Sequence, residues 1–172
     1  VSSSSPSGSS RAGVHLLELV NEILDLSRVE AGRESFDYED VMLAPLVQEV
    51  LHSVPVPDEE RAIRLNTSIP ATLRAATVTA DARRLRQILF NLVGNAVKFG
   101  GEQPVDIVLT DDGHGGVASL AVHDRGPGIP DDQLEYVFGS FNQVNETTSR
   151  QQEGTGLGLA ISRALAGRWA GN

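Results

Sequence analysis

Arg84, Gln87, Asn91, Asn95 and Lys98 recur at intervals of 3, 4, 4 and 3, so on a helix they form one polar line. The rest of that segment is apolar, through Leu85, Ile88, Leu89, Leu92, Val93, Ala96 and Val97. A solvated helix face is one reading of the line, but its composition is unusual for that role. Asn costs some tenths of a kcal/mol, about 0.5, relative to Ala in a helix, and Gly94 costs about 1 kcal/mol more while letting a ligand approach the backbone. Two carboxamides and an ammonium suit an anion accompanied by a hard cation. An amide oxygen can ligate Mg²⁺, and Lys98 can neutralise phosphate oxygens.

Two glycine turns follow. In Asp124-Arg125-Gly126-Pro127-Gly128-Ile129 the chain leaves an apolar alternating segment and bends sharply. Gly126 and Gly128 ease the bend and leave room for a flat ligand beside the backbone. Asp124 is an acceptor-only carboxylate, suited to an exocyclic amine such as that of adenine; an ordinary Asp-Gly turn is the alternative. The second turn, Gly154-Thr155-Gly156-Leu157-Gly158-Leu159, runs into a helix. Its glycines let successive N–H groups converge on an anion at a helix N-terminus, or serve as a hinge. It matches neither the GxxxxGK[ST] phosphate loop nor the GxGxxG dinucleotide fingerprint. Between the turns, Asn142 to Glu153 is polar and reads as a mobile lid, from which Arg150 either reaches a phosphate or stays in solvent.

The elements that must hold these residues are readable from pattern. Ser2 to Ser10 is serine-rich and reads as a flexible tail over residues 1–11. Leu16, Leu19, Ile23 and Leu26 form the seam of an amphipathic helix from Ala12 to Ala31, with Glu18, Glu22, Asp25 and Arg28 off the seam and Gly32 as C-cap. Strands are expected at Phe36–Val41 and Ile63–Ile69, and Pro45 opens a helix between them. A long helix spans Asp81–Phe99, and Val105–Thr110 with Val117–Val122 forms a hairpin. Further helices are expected at Asp131–Phe138 and Thr155–Gly167. This order favours an α+β fold: a two-layer α/β sandwich with a mixed, mostly antiparallel sheet under three helices, preceded by one amphipathic bundle helix.

Composition narrows the function. The 172 residues include 14 Lys or Arg and 23 Asp or Glu, a formal charge of −9, which argues against nucleic acid as partner. With no cysteine there is no disulfide framework and no thiol nucleophile, and the four histidines lack metal-ligand spacing. No apolar run approaches the roughly 18 residues that cross a bilayer, so no direct membrane contact is expected of this segment.

Taken together in order and spacing, residues 36 to about 168 resemble the ATP-binding catalytic domain of sensor histidine kinases, within the wider group that includes gyrase-type topoisomerases and certain chaperones. Gln87–Phe99 resembles the family's Asn box, Asp124–Ile129 its first glycine box, Gly154–Leu159 its second, and Phe138 with Phe141 its Phe box. Leu16–Gly32 resembles the second helix of the kinase dimerisation hairpin. The resemblance implies ATP and Mg²⁺ as cofactors, with Asn95 as the metal ligand and Asn91 and Lys98 at the phosphates. It implies that Asp124 bonds the adenine amine above Gly126 and Gly128, and that Arg150, Gly154, Thr155, Gly156 and Gly158 belong to the phosphate-facing lid. It also implies a homodimer through the N-terminal helix, a response-regulator receiver domain as partner, and a cytoplasmic location whatever the anchoring of the parent protein.

Relatives that hydrolyse ATP carry Glu where Asn91 stands, and an amide cannot take a proton from water near neutral pH. Transfer to a protein histidine is therefore favoured over hydrolysis. No phosphoacceptor histidine matches within this chain: His15 lies on the second-helix match, followed by Leu16 and Leu17. Residues 12–35 are thus expected to be a hairpin fragment and 36–172 a C-terminally truncated ATP-binding domain, unable to phosphorylate itself. The alternative is a non-catalytic nucleotide-binding or scaffold module of the same fold acting through its N-terminal helix.

Overall fold

Along β4 (Val105–Asp111) buried and half-buried positions alternate, so Val105, Ile107 and Leu109 face the core. β5 (Val117–His123) pairs with it antiparallel, opposing Ile107 to Val122 and Leu109 to Leu120. The turn is tied down by Asp112, whose Oδ1 accepts from the amides of His114 at 2.8 Å and Gly116 at 2.9 Å. These bonds hold the Asp112 carboxyl below the usual range. The structure, a computed structural model, describes residues 8–32, 35–55, 65–114, 116–142 and 155–169.

Among these residues the strands form two sheets. β2 (Leu65–Ser68) runs parallel to β4, giving the order β2-β4-β5, while β1 (Glu39–Met42) pairs antiparallel with β3 (Thr77–Ala80). The expected mixed, mostly antiparallel sheet is thus present as a three-stranded and a two-stranded piece. α2 (Leu43–Ser53) and α3 (Ala82–Phe99) cover them, through Leu46, Val47 and Val50 on one helix and Leu89, Val93 and Val97 on the other. This is the helix-on-sheet layering the pattern predicts.

A second apolar cluster lies apart from the first. It joins Leu26 and Val29 of α1 (Gly8–Glu30) to Leu157 and, on α4 (Gly158–Trp169), Ile161 and Leu165, with Phe36 and Ile88 against it. Part of the predicted α1 seam stays outside this cluster: Leu16 is 62% exposed and Ile23 is open to solvent, as are the neighbouring Leu17 and Leu24. Among the described residues no helix is long and apolar enough to cross a membrane.

Several boundaries differ from expectation. α1 opens at Gly8, not Ala12, because Ser costs a helix only some tenths of a kcal/mol, about 0.5, relative to Ala. The first strand begins at Glu39, since Phe36 turns aside into the α1–α4 cluster. β3 is only four residues long and gave no periodic signal. Residues 131–138 form two short 3₁₀ turns, Asp131–Gln133 and Tyr136–Phe138, in place of one helix; the segment is too short to repay helix nucleation. The last helix starts at Gly158, three residues later than expected, because Thr155–Leu157 is consumed by the turn.

Candidate functional site

Helix α3 is anchored at its start by Asp81, whose Oδ1 accepts from the Arg84 amide at 3.0 Å while Oδ2 accepts from the Asp37 amide at 3.2 Å. From this fixed origin the polar line divides into two parts. Arg84 and Gln87 turn toward α1, where Arg84 Nη1 and Gln87 Nε2 each donate to Asp25 Oδ2 at 3.3 Å. Asn91 turns toward α4, its Nδ2 donating to the Gly158 carbonyl at 3.1 Å and to Ser162 Oγ at 3.4 Å. Asn95, half-buried one turn later, makes no side-chain hydrogen bond among the described residues, so its amide oxygen remains available.

The other end of α3 meets the first glycine turn. Asp124 leaves β5 exposed, and its Oδ1 accepts from the Gly126 amide at 2.8 Å. A methyl on Gly126 would stand 2.5 Å from the Phe99 carbonyl oxygen, so the turn can lie against the helix end only without a side chain. Gly128 has open space but φ of +74°, a conformation glycine adopts without strain. Arg125 ties this turn to the sheet: Nη1 donates to the Pro104 carbonyl at 2.7 Å and Nη2 to Asp106 Oδ2 at 2.6 Å. Asn66 donates to the other Asp106 oxygen at 3.0 Å. The Asn66 and Arg125 bonds hold the Asp106 carboxyl below the usual range.

At the second turn, Gly156 has φ of +70°, and a methyl there would meet the Phe141 backbone at 3.0 Å. Its carbonyl accepts from the Phe141 amide at 3.2 Å, so the segment that resembles the Phe box closes directly on this turn. Thr155 Oγ1 accepts from the Leu157 amide at 3.2 Å, and Leu157 is fully buried beneath α1. Gly158 packs on Asn91, with the Asn91 Cγ 3.4 Å from where its Cβ would lie.

The stripe therefore runs from one glycine turn to the other. Asn91 touches the second, Phe99 and Gly100 touch the first, and Asn95 lies between them; the span from 91 to 99 is about 12 Å at helical rise. Lys98 Nζ sits 4.8 Å from the Phe99 ring centroid, and burial lowers its pKa. Arg150 and Gly154 lie outside the described residues, as does all of the expected lid beyond Asn142. Among the described residues no cluster of three or more His, Asp or Glu suits a metal. A cation here would take Asn95 as protein ligand and draw its other oxygens from phosphates and water, which fits the coordination habit of Mg²⁺.

Sequence reasoning missed two parts of this arrangement. Asp25 was placed off the helix seam, yet it pairs with Arg84, which is 1% exposed. The Arg125 tie was missed as well. A charge on a helix facing a distant arginine has no local signature, although Arg84 and Gln87 did extend the line beyond what one ligand needs.

Comparison with known proteins covers the same stretch of chain. Residues 80–172, which include α3, both glycine turns and α4, match the family described as histidine kinase-, DNA gyrase B-, and HSP90-like ATPase. The chain belongs to this ATPase family. Among its similar proteins is the circadian input-output histidine kinase CikA of Synechococcus elongatus, 38% identical over 154 residues, covering 90% of this chain and 20% of CikA. The crystal structure of full-length ShkA in complex with AMPPNP is 33% identical with a TM-score of 0.76, covering 91% of this chain and 32% of that one. The catalytic domain of histidine kinase ThkA, nucleotide-free, is 26% identical with a TM-score of 0.58, covering 76% of this chain and 80% of that one. The chain is thus the ATP-binding module of the histidine kinase type, and it spans well under two thirds of the curated relatives it matches.

Proposed function

We propose that this chain binds ATP with Mg²⁺ between α3 and the two glycine turns, and that the intact protein passes the γ-phosphoryl group to a histidine outside this chain. Asp124 accepts a hydrogen bond from the adenine amine, with Gly126 and Gly128 beside the ring. Asn95 offers its amide oxygen to the metal, and bound Mg²⁺ neutralises charge on the phosphate oxygens. Asn91, Lys98 and Arg150 face the phosphates, while Gly154, Thr155, Gly156 and Gly158 shape the end of the lid. In the transfer the bond from the γ-phosphorus to the bridging oxygen breaks as a bond to an imidazole nitrogen forms, and ADP leaves. No carboxylate stands at position 91 to activate water, which favours the protein acceptor.

The observation that carries this reading is the span of the α3 stripe between the two turns, with Asn95 uncommitted at its centre. The exposed Leu16 and Leu17 on α1 support a homodimer through that helix, and a receiver domain is the next acceptor of the phosphoryl group. ATP as substrate supports a cytoplasmic location for the module. Isothermal titration with Mg²⁺ and a non-hydrolysable ATP analogue tests it. Saturable binding that Asn95→Ala and Asp124→Asn each abolish is expected; no binding to folded protein, or full affinity in both variants, overturns it.

The exposed apolar face of α1 also favours a second reading, a nucleotide-binding scaffold that acts through this helix without catalysis. Phosphorylation in trans of a supplied hairpin carrying the acceptor histidine separates the two, since the scaffold reading requires none.

A further inference from the structure

The contacts of α1 with the ATP-binding module converge on the root of the second glycine turn. Asp25 meets Arg84 and Gln87 across 59 and 62 residues of sequence, with both donors 3.3 Å from the same carboxylate oxygen. Arg84 also donates to Gln87 Oε1 at 2.8 Å, which links the three side chains. The Arg84 side chain is 2% exposed. A guanidinium buried to that degree needs charged or polar partners, and Asp25 supplies one from α1, a directional contact that apolar packing alone does not give.

Next to Asp25 and one turn further along α1, Leu26 and Val29 seat on Leu157, Ile161 and Leu165. Leu157 is the residue between Gly156 and Gly158, so α1 covers the second glycine turn from behind while Asn91 of α3 grips it from the side. At the end of α1, Arg168 Nη1 of α4 reaches the Val29 carbonyl at 3.5 Å and lies 3.1 Å from where a Cβ on Gly32 would stand. The last turns of the helix are therefore fixed at Asp25 and at the C-terminal end, with the wedge of Leu157 between the two fastenings.

We propose that Asp25 and Arg84 are positioning residues for nucleotide binding: by seating α1 they hold the second glycine turn in its binding shape. The inference rests on the ATP-binding reading above. It carries a thermodynamic consequence. If seated α1 tightens nucleotide binding, bound nucleotide tightens the seating of α1 by the same factor. Movement of the helix and occupancy of the site are then one equilibrium.

The chain contains no cysteine, so two exposed positions, Asn21→Cys on α1 and Ala166→Cys on α4, accept spin labels without competition. Distance distributions between them, and titration of the same protein with Mg²⁺ and a non-hydrolysable ATP analogue, are measured with and without Asp25→Asn. That change keeps the side-chain shape and removes the charge. The labelled chain without it should give a narrow distribution that narrows further with the analogue. Asp25→Asn should broaden the distribution and weaken the analogue about five- to tenfold, at the low end of measured couplings between sites. Arg84→Met, which removes the cation from the same unit, should reproduce both effects; should it fail to fold, Asp25→Asn alone decides.

The reciprocal factor is the reading that a merely structural role would not give: the analogue must shift the seating of α1 as much as seating shifts the affinity. Unchanged affinity in Asp25→Asn, with binding intact in the parent chain, overturns the proposal whatever the distances show. Absence of binding in the parent chain overturns the ATP reading itself and the linkage with it, and the label distances alone then report whether Asp25 seats the helix.

Discussion

At the scale of single residues, the site depends on where side chains are missing as much as on where they are present. A methyl at Gly126 would stand 2.5 Å from the Phe99 carbonyl and 2.9 Å from Asp124 Oδ1, so Gly126→Ala must push the turn off the end of α3. Overpacking of this kind costs about 1–3 kcal/mol, and urea denaturation should show a loss in that range together with weaker nucleotide binding. Lys98 gives a pH prediction. Burial lowers its pKa, so its ammonium, which we propose attracts phosphate, is lost at lower pH than for an exposed lysine. Nucleotide affinity should therefore fall on the alkaline side as pH rises through that lowered value. Lys98→Arg keeps its charge and should flatten the fall in titrations from about pH 7 to about pH 10.

At the scale of elements, α4 has two duties, since its N-terminus opens the second glycine turn and its body seats α1. Ile161→Ala removes a residue 1% exposed from the α1–α4 cluster and should cost about 2–5 kcal/mol in urea denaturation. What could be read from the chain and what could not divides along the same line. The hairpin of β4 and β5, the capped helix after Asp81 and the glycine turns all carry local signals of alternation, period or turn chemistry. The direction taken by Arg84 and Gln87 does not, because it depends on Asp25 some sixty residues earlier. The polar line is legible as one stripe, while its division between α1 and α4 is a tertiary fact. The pairing of β3 with β1 is similar: Thr77–Ala80 is too short to announce a strand until Glu39–Met42 lies beside it.

At the scale of the whole molecule, the main core and the α1–α4 cluster are separate, and α1 retains an uncovered row at Leu16, Leu17, Val20 and Leu24. A helix so apolar on its open side should self-associate. Sedimentation velocity should show a concentration-dependent dimer, and Leu16→Ser with Leu17→Ser should shift it to monomer without loss of nucleotide binding. A concentration-independent monomer in the parent chain would count against α1 as an assembly surface. This chain covers 20% of CikA and 32% of ShkA, so these measurements bear on α1 of this chain alone.

The most direct test of the account is the structure of this chain co-crystallised with Mg²⁺ and a non-hydrolysable ATP analogue. The account predicts the adenine amine on Asp124, the metal on the Asn95 amide oxygen and the triphosphate extending toward Gly158. An analogue bound elsewhere, or one that leaves Asp124 and Asn95 without contacts, would contradict it.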